Sequence, residues 1–224
     1  MLYKRIMSGL VGLASCCVVS TVQAEEANGS VLTKVSTQGL GVELSGSAYD
    51  GISVRVGFNY FDYGREFDSD DITYDADLTL KSVNFLVDWY PFESGFRITG
   101  GGVWDMNKLT GTALASDNYS IGSRDYTQDQ VGILTGQVDF RDISPYAGIG
   151  FGRTVSKESG WGFIADFGVV FTGSPRVNLV SSGGILSDHP ILLADLQSEA
   201  DSVSDDIKVF KFYPVIALAV TYSF

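Results

Sequence analysis

The feature that most constrains the fold is a strict alternation of apolar residues with polar or small ones, which continues to the last residue. In FYPVIALAVTYSF, which covers 212–224, one set of alternate residues is Phe, Pro, Ile, Leu, Val, Tyr and Phe, while the other set becomes small. A period of two predicts a β-strand with two different faces. The same alternation occurs in ISVRVGFNYF at 52–61 and in WGFIADFGVVF at 161–171.

The composition requires charged and apolar surface to be separated in space. Hydrophobic residues make up 45% of the chain, yet 27 Asp and Glu against 15 Lys and Arg give a formal net charge of −12. This negative charge argues against a nucleic-acid partner, because phosphate binding needs a cationic surface. Beyond residue 24 no apolar run reaches the roughly 18 residues of a membrane helix. Any membrane-spanning part must therefore consist of strands.

The apolar faces of the predicted strands are rich in aromatic residues, whereas the other faces contain Gly, Ser and single charges. Aromatic residues near strand ends are typical of the two interfacial girdles of outer-membrane barrels. Here they are Tyr60, Trp89, Tyr90, Phe96, Trp104, Tyr146, Trp161, Phe171, Tyr222 and Phe224. We therefore predict an all-β fold, an antiparallel transmembrane barrel with apolar side chains towards lipid and polar side chains towards the lumen.

The alternating segments and the turn signals between them give the strand count. Seven strands are predicted at roughly 40–47, 52–65, 75–90, 96–108, 144–156, 161–173 and 208–224. Antiparallel closure needs an even number, so an eighth strand is placed at 29–36. Tight periplasmic turns are expected at 47–51, 91–95 and 157–160, and long extracellular loops at 65–75, 109–143 and 174–207. A β-bulge is expected near Lys81, where the alternation slips.

Two of the long loops contain further patterns. Residues 130–140 predict an extra hairpin above the membrane, and 192–210 predict a short helix packed over the barrel mouth. The expected apolar face of that helix consists of Leu192, Leu193, Leu196 and Ala200.

The N-terminal segment 1–24 has the features of a cleaved signal peptide. A basic start is followed by an apolar run and by the small-residue site VQA, which predicts cleavage after Ala24 and a mature barrel of 25–224. Both cysteines, Cys16 and Cys17, lie in this segment. An uncleaved anchor and lipoprotein processing at Cys16 are the alternatives. Export followed by strand insertion predicts the outer membrane of a Gram-negative cell.

Charged residues on the inward faces of the strands form the candidate site. Those expected to share one level of the lumen are Glu43, Arg55, Asp88, Arg97 and Asp166, with Lys34, Asp105 and Lys211 at other heights. One interpretation is a static ion-pair plug, because an eight-stranded barrel is just wide enough for side chains to fill. The other is a constriction that rearranges to pass a small ionic solute. Glycines at 148, 150 and 152 favour the second interpretation, because they leave lumen volume unfilled.

The first long loop is strongly acidic and predicts an extracellular mouth that attracts cations. Its acids are Asp62, Glu66, Asp68, Asp70, Asp71, Asp75 and Asp77. The alternatives are a solvated loop, or acids that bind divalent cations bridging to neighbouring lipid phosphates.

The sequence contains no set of residues that predicts an enzyme. Its one histidine, His189, adjoins Ser187 and Asp188 in sequence, and such direct neighbours cannot form a hydrolase triad with one another. We predict no catalytic residue, no metal and no cofactor. A lipid-modifying outer-membrane enzyme is the least favoured alternative.

Several motifs together resemble a known family. They are DWYPF at 88–92, FRITGGG at 96–102, SPYAGIGFG at 144–152, WGFIADFGVVFTGSPRVNL at 161–179 and the terminal YPVIALAVTYSF. This set resembles the CarO-type outer-membrane proteins, small barrels associated with uptake of ornithine and other basic amino acids. The resemblance implies an outer-membrane barrel, and with the acidic loop it favours a narrow passive channel biased to cationic solutes such as basic amino acids. The rival function is a structural or surface-interaction barrel with a closed lumen.

The C-terminal residues predict how the barrel reaches the membrane. Phe224 ends an alternating apolar row that includes Tyr222, and this ending resembles the assembly signal of outer-membrane barrels. The expected partners are therefore the barrel assembly machinery, outer-membrane lipid and lipopolysaccharide, and small cationic solutes.

Overall fold

The computed structural model describes residues 28–69, 72–92, 94–115 and 118–224. The predicted signal peptide, 1–24, lies outside the described residues, so its cleavage stays a prediction. The strands are β1 (Gly29–Ser36), β2 (Gly39–Tyr49), β3 (Ile52–Ser69), β4 (Ile72–Trp89), β5 (Arg97–Asp105), β6 (Lys108–Ala115), β7 (Asn118–Ile121), β8 (Arg124–Thr127), β9 (Gly132–Asp139), β10 (Ile143–Phe151), β11 (Gly160–Val170), β12 (Arg176–Gly183) and β13 (Tyr213–Ser223). The helices are α1 (Gln128–Val131), α2 (Pro190–Asp206) and a 3₁₀ helix (Ile207–Lys211).

Eight of these strands close into an antiparallel barrel. The order around it is β1–β2–β3–β4–β5–β10–β11–β13, and β13 pairs again with β1. The predicted eight-stranded barrel is confirmed, including the first strand at 29–36. Both ends of the described chain and the short turns after β2 and β4 lie at one end of the barrel, which is therefore the periplasmic end.

The exterior of the barrel is apolar, as the alternation predicts, and its interior is largely polar with apolar side chains at some levels. On β13, Ile216 and Leu218 are 51% and 65% exposed, whereas Ala217 and Ala219 between and beside them are buried. Comparable rows of exposed Val, Leu and Phe side chains cover the neighbouring strands. An apolar surface of this extent is stable in lipid and not in water.

Aromatic pairs mark the two ends of this apolar exterior. Trp161 and Tyr222, whose ring centroids are 5.1 Å apart, lie near the periplasmic end. Phe171 and Phe212, 5.7 Å apart, lie at the extracellular end. These are the positions of the two interfacial girdles in outer-membrane barrels.

The bulge predicted near Lys81 is wrong. The β3–β4 ladder runs from Ile52 opposite Trp89 to Ser69 opposite Ile72 without a register shift. What changes at Lys81 is the strand on the other side of β4, which is β5 towards the periplasm and β6 beyond the membrane. The inward face of β4 becomes apolar above this level because it now belongs to an extracellular sheet, and this produces the slip in the sequence pattern.

The predicted long loops are largely ordered sheet. Strands β3 and β4 extend beyond the barrel, and β6, β9 and β12 continue the sheet in the order β4–β6–β9–β12. Because β5 and β6 pair with β4 in one register, the extension prolongs the barrel wall. Residues 65–75 are therefore mostly hairpin strand. The hairpin predicted at 130–140 is wrong, because β9 is a single strand of this sheet and the added hairpin is β7–β8.

Helix α2 covers the extension and encloses a small apolar core with it. Leu192 and Leu196 pack with Tyr119, Ile121 and side chains of the neighbouring strands. The buried face of the helix is Leu192, Leu196 and Ala200, which follow one another at intervals of four residues. The prediction that Leu193 shares this face is wrong, since it is 49% exposed. Only a narrow stripe of the helix is buried, because the helix packs against the surface of β12 and β7.

Candidate functional site in the barrel lumen

Six charged side chains from six different strands meet inside the barrel and form what we call the lumen network. Each occupies an inward position of its strand and is no more than 7% exposed. The members are Lys34 of β1, Glu43 of β2, Arg55 of β3, Asp88 of β4, Arg97 of β5 and Asp166 of β11.

Arg55 lies at the centre of the lumen network and contacts three carboxylates. Its Nη1 is 3.1 Å from Glu43 Oε2 and 3.2 Å from Asp166 Oδ2. Its Nε is 2.8 Å from Asp88 Oδ2. One guanidinium therefore ties together β2 and β4, the two neighbours of its own strand, with β11 across the lumen.

Arg97 and Lys34 complete the lumen network on either side of Arg55. Arg97 Nη2 is 2.5 Å from Asp166 Oδ1, and its Nε is 3.4 Å from Asp88 Oδ1. Lys34 Nζ is 2.5 Å from Glu43 Oε1. Asp88 also accepts a hydrogen bond from the Thr99 hydroxyl at 2.6 Å. Every carboxylate thus has at least one cation in contact.

The lumen network is neutral as a whole, because three cations face three carboxylates. Pairing is what makes six buried charges tolerable, since an unpaired ion in a low-dielectric interior carries a large desolvation cost. Removal of one partner from a buried pair typically costs about 3–5 kcal/mol for that reason. The arrangement is therefore a mutually dependent unit.

The structure brings together the five lumen residues grouped by the sequence and adds Lys34. Lys34 does lie at another height, opposite Gly41 and two residues along from the level of Glu43, but its long side chain reaches back to the Glu43 carboxylate. Asp105 lies at the extracellular end of β5 and accepts a hydrogen bond from the Asn107 backbone, outside the lumen network. Lys211 is exposed at the end of the 3₁₀ helix, so its assignment to the lumen is wrong.

The lumen glycines do not leave the interior empty, which corrects the inference from Gly148, Gly150 and Gly152. A Cβ on Gly150 would lie 2.5 Å from Arg97 Cζ, so the guanidinium occupies that space. A Cβ on Gly57 would lie 2.4 Å from Glu43 Cγ. The glycines therefore make room for the large side chains of neighbouring strands.

A second closure lies below the lumen network, at the periplasmic end. Residues 152–156, which we call the periplasmic strap, follow β10 and fold across the barrel end. Thr154 is fully buried there, and its carbonyl accepts a hydrogen bond of 2.5 Å from the Ser30 hydroxyl. Its hydroxyl lies 2.8 Å from that of Ser53 and 3.0 Å from that of Tyr90.

The sequence prediction missed the periplasmic strap and continued the strand to residue 156. The strand ends at Phe151, and the next residue, Gly152, has a φ of +92°. This left-handed conformation is easily adopted by glycine alone. The available sequence signal for the end of the strand is Gly152, directly after the outward Phe151. This signal does not show which way the chain turns.

Little space remains in the lumen above the network. Apolar side chains of Leu86, Val103, Val170 and Val215 pack around Tyr146. The adjacent cavity has a volume of about 10 Å³. That is about the room needed by one water molecule.

The acidic residues of the first hairpin do not line the lumen where the structure describes them. Asp62 and Asp77 occupy outward positions of β3 and β4, and Asp62 accepts a hydrogen bond from the outward Tyr60. The predicted mouth is wrong for these two because inward positions are odd on β3 and even on β4. Side chains of the other five acids, Glu66, Asp68, Asp70, Asp71 and Asp75, lie outside the described residues.

Few features of the described residues point to chemistry. His189 caps α2, and its Nδ1 accepts a hydrogen bond from the Ile191 backbone at 3.3 Å. Within 28–224, apart from the gaps in the description, no group of His, Cys, Asp and Glu could hold a metal ion. None of the described helices is long and apolar enough to cross a membrane.

The fold and the lumen together define a class. A closed eight-stranded barrel with an apolar exterior, a largely polar interior, short periplasmic turns and a tall extracellular part is an outer-membrane barrel.

Solved structures of this class include counterparts of the fold. The chain is similar to Acinetobacter baumannii CarO, with 25% identity and a TM-score of 0.53 over 88% of this chain and 98% of that one. It is also similar to Acinetobacter baumannii CarO2, with 22% identity and a TM-score of 0.55 over 89% and 100%. No protein-family model matches the chain, and no curated protein matches it. The predicted resemblance to CarO-type barrels is confirmed.

Proposed function

We propose that this protein is an outer-membrane barrel with a closed lumen, which anchors a folded extracellular sheet and helix at the cell surface. The observation that carries this proposal is the neutral lumen network, with Arg55 in contact with three carboxylates. Below it the periplasmic strap fills the barrel end around Thr154. A solute would have to displace both layers.

The network favours permanent closure because its contacts depend on one another. Passage of a solute would separate Arg55 or Arg97 from carboxylates that are equally buried. Each separated pair would leave uncompensated charge, at about 3–5 kcal/mol. The closed barrel is therefore the ground state that the geometry favours.

The second candidate is a narrow passive channel for small solutes, biased to cationic ones such as basic amino acids. The resemblance to CarO-type barrels favours it. So does the small cavity above the network, whose lining includes Asp166, Asn84 and Lys34. Under this candidate the network would have to rearrange while a cationic solute replaces Lys34 or an arginine as partner of a carboxylate.

Efflux from liposomes separates the two candidates. Purified protein is folded into liposomes loaded with ornithine, and a closed lumen predicts the release rate of protein-free liposomes. Asp166→Asn removes a network carboxylate, and the exposed Asp201→Asn on α2 is the matched control. The closed barrel would be overturned in favour of the channel by one result. The wild type would release ornithine fast, Asp166→Asn would change that rate, and Asp201→Asn would leave it unchanged.

A further inference from the structure

The outward face of the extracellular extension has a row of cations at its junction with the lipid-facing surface. We call Lys81, Lys108, Arg141 and Arg176 the cationic rim. All four are exposed. They come from β4, β6, the β9–β10 connection and β12, which are consecutive positions around this side of the sheet.

The strand registers fix the height and the direction of the rim. On β4, Val83 lies opposite the outward Trp104, and Lys81 is two residues further out on the same face. Lys108 lies opposite Asp139, and Asp139 lies opposite Arg176, so the three share the outward face. Two residues span about 7 Å along a strand. The rim therefore begins one layer above Trp104 and level with Tyr60.

The rim cations share the outward face with a smaller number of acids. Asp139 lies between Lys108 and Arg176, and Asp62 lies opposite Thr79, two residues along β4 from Lys81. None of the four forms an ion pair with a described residue, although the network and Arg124 show that such pairs form elsewhere. Asp139 accepts a hydrogen bond from Gln137 at 2.8 Å. Arg141 extends beside Gly173, where its Nη2 lies 3.5 Å from the position of a Cβ. Four cations that form no ion pair among the described residues therefore lie together, although the chain has a net charge of −12.

We propose that the cationic rim binds the phosphates of an outer-leaflet lipid headgroup. Four neighbouring strand positions span about 14 Å, which suits a headgroup with more than one phosphate. Arg and Lys bind phosphate oxygens through charge-assisted hydrogen bonds. Directly below, the exposed Trp104 and Ile143 provide an apolar surface for the acyl chains of the same molecule. A surface that binds phosphate above and hydrocarbon below favours a lipid over a free anion.

Native mass spectrometry of the detergent-solubilised full chain tests this proposal. The probe is a diphosphorylated lipid A, compared with the same lipid after removal of its phosphates. The rim variant is Lys81→Gln with Lys108→Gln, and we expect it to lower the affinity for the diphosphorylated lipid at least about tenfold. The control variant, Lys157→Gln with Lys208→Gln, makes the same charge change at exposed positions away from the rim and should change affinity less than about twofold.

Two further measurements separate lipid recognition by the rim from misfolding and from binding of a free anion. Lys81→Arg with Lys108→Arg keeps the charges and should keep the affinity, whereas a variant that had lost its fold would not. Inorganic phosphate at matched ionic strength should not displace the lipid. Equal loss in rim and control variants, equal binding of the dephosphorylated lipid, or displacement by inorganic phosphate would each overturn the proposal.

Discussion

Arg55 is the residue on which the lumen network depends most, because it alone contacts Glu43, Asp88 and Asp166. Arg55→Met keeps most of the side-chain volume and removes the charge. The three carboxylates then share only two cations, and we expect the free energy of unfolding to fall by about 3–5 kcal/mol. Urea unfolding in detergent micelles, followed by tryptophan fluorescence, measures the change.

Lys157→Met is the control for Arg55→Met, since it removes an exposed cation of the periplasmic turn. Its expected effect is within about 0.5 kcal/mol, as for most surface substitutions. Equal stability of the Arg55 and Lys157 variants would contradict the described role of the network.

The lumen glycines give a second test at the residue scale. A Cβ on Gly168 would lie 2.3 Å from the Tyr146 hydroxyl, whereas one on Gly100 would meet nothing within 4 Å. Gly168→Ala should therefore destabilise the barrel by about 1–3 kcal/mol, the usual cost of overpacking. Gly100→Ala should not have this cost. The measurement is the midpoint temperature of thermal unfolding of the Gly168→Ala and Gly100→Ala variants. Equal midpoints for the two variants would mean that the lumen has spare room beside Tyr146.

At the scale of elements, a polar clasp holds α2 to the β7–β8 hairpin. Both Asp195 oxygens lie 2.7 Å from Arg124 Nη1, and Asp195 accepts a hydrogen bond of 2.5 Å from the Tyr126 hydroxyl. The hydrogen bond from Tyr126, followed by those from Arg124, lowers the pKa of Asp195 below its usual range. The clasp thus contributes stability at neutral pH, and this contribution is lost as the pH falls through the lowered pKa.

An acid titration checks the clasp. As the pH falls below the ordinary Asp value of 3.8, we expect pepsin to cut α2 faster in the wild type. Asp195→Asn should be cut fast at every pH at which pepsin acts, with no step. A step of the same size in the Asn variant would assign the transition to another group.

The C-terminal strand carries a prediction about assembly. Phe224 is 59% exposed, and its backbone exchanges hydrogen bonds with Gly29, so it closes the periplasmic end of the β1–β13 seam. Deletion of Phe224 should lower the amount of protein in the outer membrane several-fold, because its exposed ring is what the assembly machinery would bind. Deletion should leave the refolded barrel intact in detergent. Normal membrane levels of the truncated chain would refute the signal.

The barrel strands could be predicted from sequence because their two environments, lipid and lumen, produce a period of two. The same period of two correctly predicts that the side chains of Arg55 and Asp166 point into the lumen. Above Lys81 the two faces no longer differ in this way, so the alternation could not show that β6, β9 and β12 continue the sheet. The periplasmic strap was missed for a related reason, since a chain folded across the lumen has no periodic pattern.

The heights of lumen residues were harder to predict than their directions. Alternation gives the face of a strand but not the reach of a side chain, so Lys34 was placed apart from the network that it joins. Gly150 predicts unfilled lumen volume from sequence alone, because Arg97, whose side chain occupies the space beside Gly150, is distant in sequence. Both errors concern contacts between strands, which register determines and composition does not.

At the scale of the whole molecule, charge is sorted by region. The lumen holds equal numbers of cations and carboxylates, the rim cations face outward above Trp104, and acids are frequent on α2. Under the proposed function, the barrel is closed by the lumen network and again by the periplasmic strap around Thr154. We infer that these two layers leave no conducting path through the lumen.

Single-channel recording of the wild type in planar bilayers tests this claim most directly. We expect no conductance steps at moderate voltage, either in the wild type or in Arg55→Met, because the periplasmic strap still closes the barrel. Steps should be seen only when Arg55→Met is combined with replacement of residues 152–156 by a short glycine turn. Discrete cation-selective steps in the unmodified protein would contradict the closed lumen.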